Sequence, residues 1–268
     1  KGAVLSQTIY NDPFIRLSND IDILINRNYA DDLKKILLSH GFVQARIINN
    51  QIVPFTREEI LFQSTFTHQM APYIRPLPNK ASAFVNLDVN IDIFWGESNT
   101  KASMDYVLSQ TIDYKLFDIC FKKLSVEMEF VQLCMHHYKD MNSLFLLSKR
   151  GLKLNLFCEI YDFLTRVPLN TQSLYNICQK LEVGKYVYAC IYQVNELFEC
   201  PITKKYLELF SPYRDDILLN TFGLTDQQRK DWDIPLLERI FHPNLPALVF
   251  EKLSSKEKEV LKLNQELM

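Results

Sequence analysis

The segment from Val85 to Ile93 alternates apolar and polar residues without a break. Val85, Leu87, Val89, Ile91 and Ile93 fall on one side, and Asn86, Asp88, Asn90, Asp92 and Phe94 on the other. A period of two residues is the signature of a half-buried strand. Ile21-Asp-Ile-Leu-Ile25 shows the same period around Asp22 and predicts a second strand. Between these two segments, Asn28 offers a cap for a helix over 29–40, with Leu33, Ile36 and Leu37 on one stripe and Gly41 as its stop. The stretch 42–48 reads as a strand, Asn49-Asn50 as a turn and 52–56 as the returning strand. Residues 58–69 fit either a helix opened by the Thr56/Glu59 capping box or a strand through Leu61, Gln63, Thr65 and Thr67.

From about Lys101 onward the strand signal fades and the period lengthens to that of helices. Helices are predicted over 126–138, 152–164, 174–181, 186–198 and 204–210, punctuated by Pro168, Gly184, Pro201 and Pro212. A capping box at Ser254 and Glu257 opens a last amphipathic stretch ending near Leu267. The expected fold class is α+β: a mixed β-sheet domain flanked by helices over residues 1–112, then an all-helical domain over 113–268.

The chemistry lies in Asp20-Ile-Asp22. In an extended strand, side chains two residues apart share a face, so these carboxylates would stand together. Crowded carboxylates repel, and a divalent cation relieves the repulsion. An edge strand protected by charge is the plainer explanation of the tripeptide. The 85–93 strand supplies further carboxylates, Asp88 and Asp92, about 13 Å apart at a rise of ~3.3 Å per residue. Only one of them can join Asp20 and Asp22. Asp92 is chosen because it precedes a turn, where functional carboxylates tend to sit. Three carboxylates suit two magnesium ions roughly 3.5–4 Å apart, with manganese as a substitute, an arrangement that activates a hydroxyl and neutralises a triphosphate.

Lys1-Gly2, the helix carrying Tyr10, Arg16, Asp-Ile-Asp-Ile-Leu-Ile, a helix ending in Gly-Phe, and Ile-Asp-Ile-Phe-Trp95 together resemble the uncharacterised bacterial nucleotidyltransferase family of the DNA polymerase β-like superfamily. The resemblance covers about the first 100 residues and continues weakly through 133–139 and 154–161. It implies that Asp20, Asp22 and Asp92 ligate magnesium. It also implies that Gly2 lets backbone N–H groups approach nucleotide phosphates, with Lys1 and Arg16 supplying positive charge. Two departures stand out. Ala3 replaces the serine that often follows the glycine, and Phe94 replaces the family's histidine. A strand and usually a helical region precede Lys-Gly in the family, which implies residues ahead of Lys1.

Composition adds limits. Thirty basic and thirty-two acidic residues leave a net charge of −2, so no broad basic field advertises nucleic acid. Cys120, Cys134, Cys158, Cys178, Cys190 and Cys200 lack zinc spacing and read as reduced thiols of a cytoplasmic protein. No apolar run is long enough to span a bilayer. His136 and Lys139 share a polar helix side and could reach an acceptor and a phosphate; a solvated helix face is the plainer reading. His137 is expected to pack among apolar neighbours, and His68 to be structural.

The function expected is metal-dependent transfer of a nucleoside monophosphate from a nucleoside triphosphate to a hydroxyl or similar acceptor, with release of pyrophosphate. The acceptor class stays open among small molecules, peptides or proteins, and RNA ends. The rivals are an Asp-x-Asp glycosyltransferase and a catalytically silent relative that binds a nucleotide or a partner.

Overall fold

The computed structural model describes residues 2–16, 18, 20–78, 83–98 and 100–267, without the side chains of Phe66 and 263–267. It divides into two compact units, 1–126 and 127–268.

In the first unit the elements run α1 (Ala3–Tyr10), β1 (Ile21–Leu24), α2 (Ala30–Ser39), β2 (Val43–Ile48), β3 (Gln51–Pro54), α3 (Arg57–Phe66), β4 (Tyr73–Pro76), β5 (Phe84–Asn90), α4 (Met104–Ser109), β6 (Thr111–Leu116) and β7 (Ile119–Leu124). Five strands form one mixed sheet in the order β1-β5-β4-β2-β3, so β1 lies at an edge. β1 and β5 are parallel; the other pairs are antiparallel.

Alternation explains the layering. Ile23 and Ile25 of the β1 segment and Leu87 and Val89 of β5 join Leu33 and Leu37 of α2, with Tyr73, Phe42 and Met70, in one apolar cluster. Burying each such large apolar side chain contributes about 1.5–3 kcal/mol. The opposite period of the same strands carries Asp22, Asn86, Asp88 and Asn90.

Local chemistry decides several boundaries. Both halves of the Thr56/Glu59 capping box form, which makes α3 a helix: Glu59 N donates to Thr56 Oγ1 at 3.2 Å and Thr56 N to Glu59 Oε2 at 2.7 Å. Ahead of α2, Asn26 rather than Asn28 is the cap. Its side chain accepts from Asn28 N at 3.0 Å and opens a 3-10 turn over Arg27–Tyr29. Asn49 and Asn50 take φ 50° and 61°, which closes the β2–β3 hairpin.

The β6–β7 hairpin was not expected where strand signals fade. It registers Leu116 against Ile119 through a two-residue turn in which Phe117 and Asp118 both have positive φ, 51° and 63°. Such turns normally advertise themselves with Asn-Gly or Asp-Gly. Here Phe117 instead stacks on Phe14, ring centroids 5.5 Å apart.

The second unit contains α5 (Val126–Asn142, whose first residue closes the preceding unit), α6 (Leu144–Arg150), α7 (Leu154–Arg166), α8 (Thr171–Lys180), α9 (Gly184–Leu197), α10 (Pro201–Phe210), α11 (Asp216–Asn220), α12 (Leu236–Phe241), α13 (Leu245–Glu251) and α14 (Ser255–Leu267). A two-residue ladder, β8 (Thr221–Phe222) with β9 (Lys230–Asp231), is added to the expected helices. Helix α9 packs against α7, α8, α10, α11 and α12. Phe130 of α5 meets Phe163 of α7 at 5.3 Å, and Tyr138 meets Tyr186 of α9 at 4.7 Å. A separate apolar cluster joins Leu144, Leu147, Phe222, Leu245, Val249 and Leu261.

Candidate functional site

The turn before α1 and the entry to β1 come together. Gly2 holds φ 65° and ψ −124°, a conformation essentially reserved for glycine. A Cβ there would lie 3.0 Å from Ser18 Oγ, 3.1 Å from Ser18 Cβ and 3.8 Å from the Asp20 carbonyl oxygen. Ser18 Oγ in turn reaches the Asp20 carbonyl oxygen at 2.9 Å and its Oδ1 at 3.0 Å. Asp20 is thus held from the α1 side, just ahead of β1. Arg16 enters this turn through its backbone, its N–H donating to Ser6 Oγ at 3.0 Å. Lys1 lies outside the described residues.

Asp22 is fixed from β5. The Asn90 amide donates through Nδ2 to Asp22 Oδ1 at 3.1 Å and to the Ile23 carbonyl at 3.3 Å. Its Oδ1 accepts from Gln69 Nε2 at 2.9 Å, which sets the orientation of the amide. Gln69 and Asn90 were not singled out in the sequence. Asn90 stands on the aspartate-bearing side of the 85–93 alternation, and that is the signal that could have found it.

The parallel register pairs Asp22 with Asp88. Asp92 follows four residues later, at most about 13 Å further on, and beyond the end of β5. The sheet therefore brings Asp88, not Asp92, to the cross-strand position beside Asp22. Asn86 shares that side, and among the described residues its buried Oδ1 meets no hydrogen-bond partner. Among the described residues, no three His, Cys, Asp or Glu side chains form a ready-made metal centre.

Asp92 serves the loop that follows it. Its Oδ1 accepts from Phe94 N at 2.9 Å and Ala102 N at 3.3 Å. Burial pushes its pKa up, against the pull of those N–H groups and of Lys101. It lines a cavity of about 370 Å3 with Asn26, Arg27, His68 and Lys101. His68 also takes part through its backbone, its carbonyl accepting from Ile91 N at 2.9 Å.

His136 and Lys139 belong to the second unit and do not form a solvated helix face. Both turn to the buried Asp140, His136 Nε2 at 3.8 Å from its Oδ2 and Lys139 Nζ at 3.7 Å from its Oδ1. Arg150 Nη2 donates to the same carboxylate at 2.8 Å. His137 has more than apolar neighbours: its Nε2 lies 2.9 Å from Glu159 Oε2 of α7, both residues buried. Cys134, Cys178 and Cys190 are buried and Cys120 is exposed; all six cysteines are free. Among the described residues no helix is long and apolar enough to cross a membrane.

Neither the curated proteins nor the solved structures yield a match to this chain. A family model described as an uncharacterised nucleotidyltransferase matches residues 1–199 of the 268. The glycine turn, the Asp-x-Asp strand and the carboxylate-bearing strand beside it all fall within that match, and the chain belongs to this uncharacterised nucleotidyltransferase family.

Proposed function

We propose that the protein transfers a nucleoside monophosphate from a nucleoside triphosphate to a hydroxyl-bearing acceptor, with Asp20, Asp22 and Asp88 as its working carboxylates. The observation that carries this reading is the parallel pairing of Asp22 with Asp88, two residues after an Asp20 that is held by Ser18 against the glycine turn. Asp88 takes the third position because the register makes it the neighbour of Asp22.

The donor set suits magnesium. Carboxylate oxygens and the buried Asn86 carbonyl oxygen are hard ligands, and magnesium is usually held by one or two carboxylates plus substrate phosphates rather than by a full protein cage. An ion arriving with the triphosphate therefore needs no pre-formed cluster of three protein ligands. When bound, it would neutralise charge on the phosphates and favour departure of pyrophosphate.

The chain's own groups do the rest. Gly2 makes the turn that packs against Ser18 at the start of α1, where N–H groups that lack helical partners would take a phosphate. Arg16 adds positive charge to the triphosphate. Ser18 and Asn90 hold the Asp20 and Asp22 carboxylates in fixed orientations, which limits reorganisation during reaction. The acceptor oxygen forms its bond to the α-phosphorus as the bridging P–O bond breaks. Pyrophosphate leaves with that electron pair, and the acceptor proton passes to the Asp22–Asp88 pair.

The test is incubation with each α-labelled nucleoside triphosphate, magnesium and cell extract. Wild type should transfer label and release pyrophosphate, while Asp22→Asn and Asp88→Asn should each lose about a hundredfold or more. Full activity in Asp88→Asn would remove it from the site. Magnesium-dependent nucleotide binding with no pyrophosphate release would make the protein a silent binder.

A further inference from the structure

The cavity around Asp92 lies outside the carboxyl ends of two parallel strands, where the chain turns away after Leu24 on one side and after Asn90 on the other. Crevices of this kind are preferred ligand positions in open sheets with parallel strands. Ile91 and Met104 give it apolar wall, and its volume of about 370 Å3 suits a small molecule.

Its charges are of opposite kinds and differently held. Asp92 is half-buried and locked, one oxygen accepting two backbone N–H groups, so the carboxylate keeps its position without a ligand. Arg27 and Lys101 are exposed, and among the described residues neither forms an ion pair within the first unit. Among the described residues the Arg27 guanidinium donates to the Ser64 carbonyl, at 3.3 Å. Lys101 is the cation whose field acts on Asp92.

We infer that this cavity binds a small zwitterion, its ammonium group on Asp92 and its oxyanion on Arg27 and Lys101. A locked carboxylate inside a partly apolar cavity favours a cationic donor over a neutral one, because only the cation offsets its charge. Two cations near it, one carrying a planar fork, match a carboxylate or phosphate. The shared chemistry is ammonium plus oxyanion, from an amino acid or from an aminoalkyl phosphate. This inference does not rest on nucleotidyl transfer, since occupancy is read directly.

Calorimetric titration of the full chain with L-serine, O-phosphoethanolamine, glycerol 3-phosphate and inorganic phosphate tests it, with folding of every variant checked by circular dichroism. One or both ammonium-bearing probes should bind saturably, and which of them binds identifies the oxyanion. Asp92→Asn, which keeps the oxygen facing Phe94 and Ala102, should weaken that probe about tenfold or more. Arg27→Gln with Lys101→Met should weaken it by a similar factor without touching the loop anchor. Saturable binding of none of the probes overturns the inference. So does glycerol 3-phosphate or inorganic phosphate binding as tightly as the zwitterion, or a folded pair of variants that bind like wild type.

Discussion

Replacing Gly2 by alanine tests how the start of α1 and the Asp-x-Asp strand are joined. The backbone term comes from φ 65° and ψ −124°, a region costing an L-residue about 2 kcal/mol. The packing term comes from Ser18, whose Oγ and Cβ would meet the new methyl at 3.0 and 3.1 Å. Ser18 must give by a few tenths of an ångström, and it cannot do so without loosening its hydrogen bonds to Asp20; about 1 kcal/mol is reasonable for such overpacking. The sum is about 3 kcal/mol, a fall in melting temperature on the order of 10 °C for a unit of this size.

The two terms separate in a double-mutant cycle. Ser18→Gly removes both atoms that the methyl would strike but leaves the backbone angle alone. Gly2→Ala with Ser18→Gly should therefore cost about 1 kcal/mol less than the sum of the single changes. The chain has two tryptophans, Trp95 in the first unit and Trp232 in the second. Urea unfolding followed by fluorescence in a Trp232→Phe background reports on the relevant unit. A Gly2→Ala cost below about 1 kcal/mol, or a strictly additive cycle, would refute the reasoning.

Three further outcomes are expected. Gly223→Ala should cost about 3 kcal/mol in the second unit, read through Trp232, because φ is 112° and a Cβ would lie 2.5 Å from the Gln228 carbonyl oxygen, which belongs to the backbone and cannot swing aside. Glu159→Ala removes one partner of the buried His137 and should cost about 2 kcal/mol in denaturant unfolding, with Glu159→Gln costing less because it retains an acceptor. Burial raises the pKa of Asp92, so the folded state holds its proton more tightly than the unfolded one. Its penalty is absent below the unfolded carboxylate pKa and grows as pH rises through the range above it, and Asp92→Asn should remove that fall from a stability-against-pH curve.

Much of the first unit was legible because alternation and caps act locally. The Ile23/Ile25 and Leu87/Val89 sets, the Asn49-Asn50 turn and the Thr56/Glu59 box each announce themselves in a few residues. The register did not. Apolar alternation runs on to Ile93, yet β5 ends at Asn90, since its neighbour β1 has stopped at Leu24 and the Asp92 carboxylate captures the N–H groups of Phe94 and Ala102. Alternation specifies a face but not where pairing stops, and that difference moves the carboxylate beside Asp22 from residue 92 to residue 88. The β6–β7 hairpin was hidden for another reason. Its turn uses Phe117 and Asp118 where a glycine would be read, and the stacking that supports it comes from Phe14, a hundred residues earlier in the chain.

The outermost position of β1 bears on how an inactive control should be made. Changing Asp20 and Asp22 to alanine would leave the uncharged run Ala-Ile-Ala-Ile-Leu-Ile through and around β1, an edge strand among the described residues, and Ile21 is already 54% exposed. An uncharged, isoleucine-rich run at a sheet edge is a nucleus for intermolecular stacking. Inclusion bodies from that double variant would speak of self-association rather than of lost chemistry, so asparagine is the replacement that keeps the two questions apart.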